Sequence, residues 1–433
     1  MINMIKSHQK TIVIWIISLA CFSSFIYWNN PERVITITLG TYVGSPWDVP
    51  DPTSYKLLDR IIKNFEKENP TIKVKYEPGI AKSDYSSWLS ELIVQGKQPD
   101  VFVVPDDDFN LLLSTGALDN LNRLVKEDRF NTNIFFDSAI DAGVVNHEVY
   151  ALPFSSNPVM MCVNMDILKK EGITIPEHWT IEEFYDMCNK ITKDTDHDGV
   201  LDQFGVCDYT WKDVIAGYGI SLFNKEGTKS YFNSSKVKKA FAMLSKITHL
   251  NKNIKVSSED FDKGKVAFMP MTLAQYRTYK PYPYRVAKYS TFSWNCRSMP
   301  TSTSNSAYQM KTVLIGLSSR SNHKQSAWKF LKMICSDPDV QQLILEQSQG
   351  ASPVREVMND SFTDNLFKRN GFGPSELTAQ RINTIMEQTI AYPKFKKYAH
   401  VMETADYLVT LSLANNSLDA DLSQIHQNIQ KLL

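Results

Sequence analysis

Between Val34 and Val104 the apolar residues change their period four times, and no other feature restricts the fold as much. Val34-Ile-Thr-Ile-Thr-Leu39 alternates apolar and polar side chains in a β-branched run that stops at Gly40, the pattern of a half-buried strand. Ser54 to Asn69 puts Leu57, Leu58, Ile61, Ile62 and Phe65 on one side of a helix, with Pro70 just beyond its end. Ile72-Lys-Val-Lys-Tyr76 returns to alternation, with Ile72, Val74 and Tyr76 toward a core. Trp88 to Gln95 reads as a short helix and Val101-Phe-Val-Val104 as a wholly apolar strand. This strand–helix order predicts an α/β fold with a parallel sheet covered on both faces. Ligands of such sheets bind beyond the carboxyl ends of the strands. Here those ends are residues 40–51 and 105–108.

With 433 residues, the chain exceeds the size at which one core stops growing, so two lobes are expected. Lys and Arg number 47 and Asp and Glu 47, which leaves no basic excess for nucleic acid. Thr11 to Trp28 carries no charge and follows Lys6, His8 and Lys10. Eighteen helical residues span about 27 Å, close to a hydrocarbon core of roughly 30 Å. The lysines place the N-terminus in the cytoplasm and everything from about Asn30 outside. Residues 1–29 therefore read as an uncleaved membrane anchor, a lipid anchor processed at Cys21 within Ser18-Leu-Ala-Cys21, or a cleaved signal peptide. The first two expect a domain held on the outer face of the cell membrane, and the third a secreted one. Beyond that segment lie Cys162, Cys188, Cys207, Cys296 and Cys335, an odd number without metal-ligand spacing. One disulfide is compatible with export; buried free thiols are the expected state.

Several segments, in order, resemble the extracellular solute-binding proteins of bacterial ABC importers, in particular the sugar-binding family. They are Phe65-Glu-Lys-Glu-Asn-Pro-Thr-Ile-Lys-Val74, Pro99-Asp-Val-Phe-Val-Val-Pro105, Gly116-Ala-Leu-Asp-Asn-Leu121 and Val149-Tyr-Ala-Leu-Pro-Phe-Ser155, which leads into Asn164-Met-Asp-Ile-Leu-Lys-Lys-Glu-Gly-Ile173. His178-Trp-Thr-Ile-Glu-Glu-Phe184, Phe261-Asp-Lys-Gly-Lys-Val-Ala-Phe268, Ala327-Trp-Lys-Phe-Leu331 and Gln349-Gly-Ala-Ser-Pro-Val354 follow. Within the fourth-from-last of these, Thr180 and Glu183 predict a capping box. The resemblance implies a two-lobed periplasmic-binding-protein-like fold with discontinuous lobes: 34–153 with 305–348, and 154–304 with 352–433. It also implies a monomer that catches a small solute, a carbohydrate first of all. Hinge closure would then deliver that solute to the transmembrane subunits of a permease. A tethered sensor feeding a histidine kinase needs the same closing cleft.

Sugars offer apolar faces and rims of hydroxyls, which suit aromatic platforms flanked by carboxylates, amides and hydroxyls. On the implied fold, the expected contacts are Trp47 and Asp48 after the first strand, Tyr85 and Trp88 after the second, and Asp106 after the third. Phe154, Ser155 and Asn157 lie at the first crossing, and Tyr209 and Trp211 lie in a loop facing Trp294. The competing roles are core packing for the aromatics and helix capping for Asp106 with Asp107 and Asp108. Where the family carries a Gly-Pro-Trp-like turn, this chain reads Met269-Pro-Met-Thr-Leu-Ala-Gln-Tyr276, so Tyr276 is the candidate replacement for that platform.

Asp194-Thr-Asp-His-Asp-Gly-Val-Leu-Asp202 has the alternating aspartates of a calcium loop. Asp194, Asp196, Asp198 and Asp202 are its candidate ligands, although position 12 is Gly205 rather than Glu. A solvated Asx-turn loop accounts for the same residues. No cofactor is required, and any calcium would be structural. GxSxG, HExxH and P-loop motifs are absent, so no enzyme is expected. A secreted carbohydrate-active enzyme with a carboxylate pair is the alternative within that class.

Overall fold

The computed structural model describes residues 34–50, 54–279, 292–302, 308–370, 377–393 and 395–433. Residues 1–29, including Cys21, lie outside the described residues. Among the described residues no helix is long and apolar enough to cross a membrane.

The early alternation becomes strands β1 (Ile35–Gly40), β2 (Ile72–Tyr76) and β3 (Val101–Val104), with β1 paired in parallel to both neighbours. The helix Ser54–Glu68 buries Leu57, Ile61, Ile62 and Phe65 against this sheet, the face that its spacing marks. The helix after β2 is longer than its apolar pattern predicts and runs Lys82–Val94. Its N-cap is Ala81, which makes no side-chain capping bond, so the sequence carries no start signal there.

Then come β4 (Ala151–Asn157), β5 (Val159–Asn164), β6 (Phe204–Val206) and β7 (Val266–Thr272). Strands β8 (Trp294–Arg297) and β9 (Lys311–Leu317) complete two sheets, ordered β2-β1-β3-β9-β4 and β8-β5-β7-β6. The chain passes from the first sheet to the second at Pro158 and returns to the first at Lys311. Pro153 lies within β4 opposite Leu314, where the register of β9 shifts; an irregularity of this kind tolerates the missing N–H.

The first sheet shares one continuous cluster with Cys162, Phe204, Val266 and Trp294 of the second, whose alternate residues face a separate core. Ile37, Leu39, Phe65, Val101, Leu152, Phe330 and Ile334 fill the first core. Val163, Trp179, Phe184, Phe241 and Phe268 fill the second, closed by Val401, Val409, Leu422 and Ile429 from the helices Tyr398–Ala414 and Leu418–Leu432. Thr180 and Glu183 form the expected capping box at the helix Ile181–Ile191. That helix crosses β6 so closely that a Cβ at Gly205 would lie 2.7 Å from the Cys188 Cα, which explains the glycine.

Asp128 ties the first lobe's surface to the helix Lys324–Ser336, accepting from the Trp328 indole at 3.1 Å and pairing with Lys332. The Lys332 ammonium, followed by the indole N–H, holds the Asp128 carboxyl below the usual carboxylate range. Its folded pKa lies below its unfolded one, so its contribution is present above about pH 4 and is lost as pH falls through the folded value. The side chain is 37% exposed, so screening keeps this small. Asp128→Asn should lower the thermal midpoint at neutral pH, and the gap from wild type should close as the buffer approaches about pH 3. A gap that widened on acidification would contradict the sign.

Candidate functional site

Two adjoining cavities open between the lobes, of about 730 Å³ and about 250 Å³. Lys311 and Tyr392 line both, so these two side chains stand at the partition. The larger cavity begins at the carboxyl end of β3, with Val104, Asp106 and Phe109, and meets Tyr398, Met402 and Glu403 across the gap. The smaller lies toward the crossing, among Trp47, Asp48, Asn157, Thr272, Gln275 and Gln309. Both therefore sit where the open α/β sheet rule places ligands.

Local folding explains each wall. Lys82 donates to the Pro46 carbonyl at 2.8 Å and pairs with Asp48 at 2.7 Å, fixing the loop after β1. Asp48 itself takes a left-handed φ of 57°. Asn157 accepts from the Ala274 N–H at 3.0 Å, which fastens the end of β4 to the helix Leu273–Thr278. From that helix, buried Arg277 donates to the carbonyls of Leu345 at 2.7 Å and Gly350 at 2.8 Å. Burial lowers the pKa of this guanidinium to about 10. Ser156 and Ala351 exchange backbone hydrogen bonds of 2.9 and 2.7 Å, so the first crossing is paired with the segment at 351.

Across the partition, Lys311 lies 3.5 Å from Asp106. The crowded walls raise the Asp106 carboxyl above its ordinary range against the opposing pull of Lys311. Tyr392, 37% exposed, has its hydroxyl pushed up to about 12, first by burial and then by the field of Asp106 and Asp213. Tyr42 is raised by burial, with Asp106 and Asp48 adding to it. The partition thus combines a carboxylate, an ammonium and an aromatic ring.

The expected contacts divide into two groups. Trp47, Asp48, Asn157 and Asp106 line the cavities. Phe154 and Ser155 lie just behind, Phe154 packed beside Trp47 and Ser155 donating to the Ala351 carbonyl at 3.3 Å. The remaining aromatics belong to cores. Tyr85 is 1% exposed, donates to the Val103 carbonyl at 2.9 Å and stacks on half-buried Trp88. Tyr209 packs on Phe184, and Trp211 donates to Asp406 at 2.8 Å. Tyr276 and Trp294 are 0% and 1% exposed, so neither offers a ring face to the cleft. Their hydrophobic area is worth more inside the packed lobe than at an open wall. Tyr276 therefore does not replace the family's platform in this conformation. The sequence reading missed Lys311, Tyr392, Gln275 and Arg277. Only the aromatic-proline pair Tyr392-Pro393 carried any local signal of a wall loop.

In the acidic loop, Asp194, Asp196 and Asp198 bring carboxylate oxygens within 4.8 Å of one another. Asp202 is turned to Thr195, accepting from its N–H at 2.8 Å and its hydroxyl at 2.7 Å. The Asp194 carboxylate already holds the N–H groups of His197 and Gly199, each at 2.7 Å. Three hard oxygen donors fit calcium in kind, but the closing acid is missing because Gly205 lies in β6. Asp194, Asp196 and Asp198 would hold such an ion, and its contribution would be to stiffen the loop.

Two sheets joined by paired crossings, with cavities opening between them, define a two-lobed binding protein of the periplasmic-binding-protein fold. The chain belongs to the bacterial extracellular solute-binding protein family, whose model matches residues 50–341. It is 23% identical over 394 residues to the Escherichia coli protein YcjN, whose name describes an ABC transporter periplasmic-binding protein, covering 87% of this chain and 88% of that one. Among solved structures it resembles the sugar-binding protein MalE of Xanthomonas citri with a TM-score of 0.74 at 15% identity, covering 92% of this chain and 97% of that one. A Listeria monocytogenes ABC substrate-binding protein in complex with cycloalternan aligns with a TM-score of 0.65 at 20% identity, over 92% and 98%. These relatives are solute-binding proteins.

Proposed function

We propose that this protein captures a saccharide between its lobes and, on closing, presents it to the transmembrane subunits of an ABC importer. It acts as a monomer held at the outer face of the cell membrane by residues 1–29. The observation that carries the reading is the partition between the two cavities. There Tyr392 offers a ring for an apolar sugar face, while Lys311, Asp106 and Asn157 offer partners for hydroxyls. Trp47 supports it. Its indole N–H is sealed from solvent without a partner among the described residues, an unmade bond costing about 1–3 kcal/mol. Hinge closure on a hydroxylated ligand would relieve it. The relatives bound to or named for sugars point to the same solute class.

The test is thermal unfolding of the full-length chain in mild detergent against mono- and oligosaccharides, with amino acids and peptides as controls. A cognate sugar at about 100 times its Kd is expected to add about 2.7 kcal/mol and raise the midpoint visibly. A response to amino acids or peptides alone would reject the carbohydrate assignment.

A further inference from the structure

Two thiols in the second sheet stand in a relation that the cysteine spacing could not reveal. Cys162 on β5 and Cys296 on β8 are direct cross-strand partners in an antiparallel pair, with their sulfurs 3.8 Å apart. Both are buried, at 0% and 1% exposure. The parity of the ladder identifies the kind of pair. Met165 donates to the Ser293 carbonyl at 2.9 Å, so in the same register 163/295 is a hydrogen-bonded position and 162/296 is not. The backbone of Cys296 agrees, since its N–H and carbonyl turn away from β5 and are taken up by the side chains of Asn295 (2.7 Å) and Arg297 (3.1 Å).

Non-hydrogen-bonded antiparallel pairs bring their Cα atoms to about 4.5 Å, inside the window of about 4.4–6.8 Å that a disulfide spans. A side-chain rotation then suffices, with no backbone movement. Strand β8 also gains from such a bond: among the described residues it is a four-residue strand at the edge of its sheet. The link would close a loop between positions 134 apart, so the unfolded chain would lose much of its freedom. Cys335 instead donates to the Leu152 carbonyl at 3.9 Å.

We propose that Cys162 and Cys296 form a modification site: a chain folding in contact with a disulfide oxidant joins them in a cross-strand disulfide that staples β8 to β5. The oxidant is a protein or small-molecule disulfide. One cysteine thiolate attacks it, forming a mixed disulfide and releasing one thiolate. The second cysteine thiolate then attacks the mixed disulfide, closing the intrachain bond and releasing the other. Two electrons and two protons leave the chain, and the oxidant becomes two thiols. Burial raises the Cys162 thiol well above its ordinary pKa, so exchange occurs before β8 seats on β5, not in the finished fold. Occurrence of the bond in the cell rests on the export reading; its formation in a purified chain does not.

The test is refolding of the full-length protein in glutathione disulfide or in dithiothreitol, then alkylation, intact mass measurement and peptide mapping. Oxidative refolding should remove the mass of two hydrogens, yield a Cys162–Cys296 cross-linked peptide and raise the thermal midpoint by several degrees, reversibly on reduction. Cys162→Ser and Cys296→Ser should each abolish the cross-link and the redox-dependent shift, and Cys207→Ser should retain both. Full alkylation of the oxidatively refolded wild type, or a cross-link to another cysteine, would overturn the proposal. Because the wild-type map decides the matter, a variant that fails to fold does not. Saccharide binding measured on the same samples tests the receptor reading separately.

Discussion

Trp179→Ala is expected to destabilise the protein by about 3–5 kcal/mol, the range for emptying a large aromatic site in a packed core. Trp179 is 2% exposed and packs on Phe184 and Phe268 with ring centroids at 5.4 and 5.6 Å. Its indole N–H donates to the Ser298 carbonyl at 2.8 Å, while its own carbonyl accepts from Thr301 at 3.0 Å. One side chain therefore joins the start of the helix Ile181–Ile191, the strand β7 and the segment after β8. Trp179→Phe separates the contributions, because it keeps a ring but leaves the Ser298 carbonyl unpaired, at about 1–3 kcal/mol. Denaturant unfolding followed by circular dichroism provides the measurement. A loss under about 1 kcal/mol for the alanine variant would mean that the site collapses and the packing account is wrong.

Tyr392→Ala is expected to weaken saccharide affinity by about tenfold to a hundredfold, equivalent to about 1.4–2.8 kcal/mol, with little change in the unliganded midpoint. The ring is 37% exposed and stands between the cavities, so its removal takes a platform from the ligand and little from either core. Tyr392→Phe should retain most of the affinity if the ring face carries the interaction. A phenylalanine variant as weak as the alanine one would assign the effect to the hydroxyl. An alanine variant with unchanged affinity would remove Tyr392 from the site. Titration calorimetry with the sugar identified by thermal shift reads these outcomes directly.

Much of the first lobe is legible in the sequence. The alternation at 35–40 and 72–76 marked strands, and Leu57, Ile61 and Phe65 marked the buried side of their connecting helix. Thr180 and Glu183 announced a helix start because a capping box is a contact between near neighbours. The start at Lys82 was hidden for the same reason, since Ala81 offers no capping side chain. The candidate site was less legible. Trp47 and Asp106 follow strand ends and line the cavities. Trp211, Tyr276 and Trp294 have the same composition signal, yet they lie in cores. Aromatic area suits a ligand wall and a core equally, and residue type does not separate the two.

By itself, the sequence determined the order of strands and helices and the faces that each would bury, because side-chain period is a property of neighbouring residues. Its ordered motifs also determined the family. Only the tertiary structure decided that Lys311 and Tyr392 stand between the cavity lined by Asp106 and the one lined by Asn157, and that Cys162 faces Cys296. Those pairings join segments far apart in the chain. They depend on sheet register and on where the chain crosses between lobes, which the pattern within any one segment does not specify.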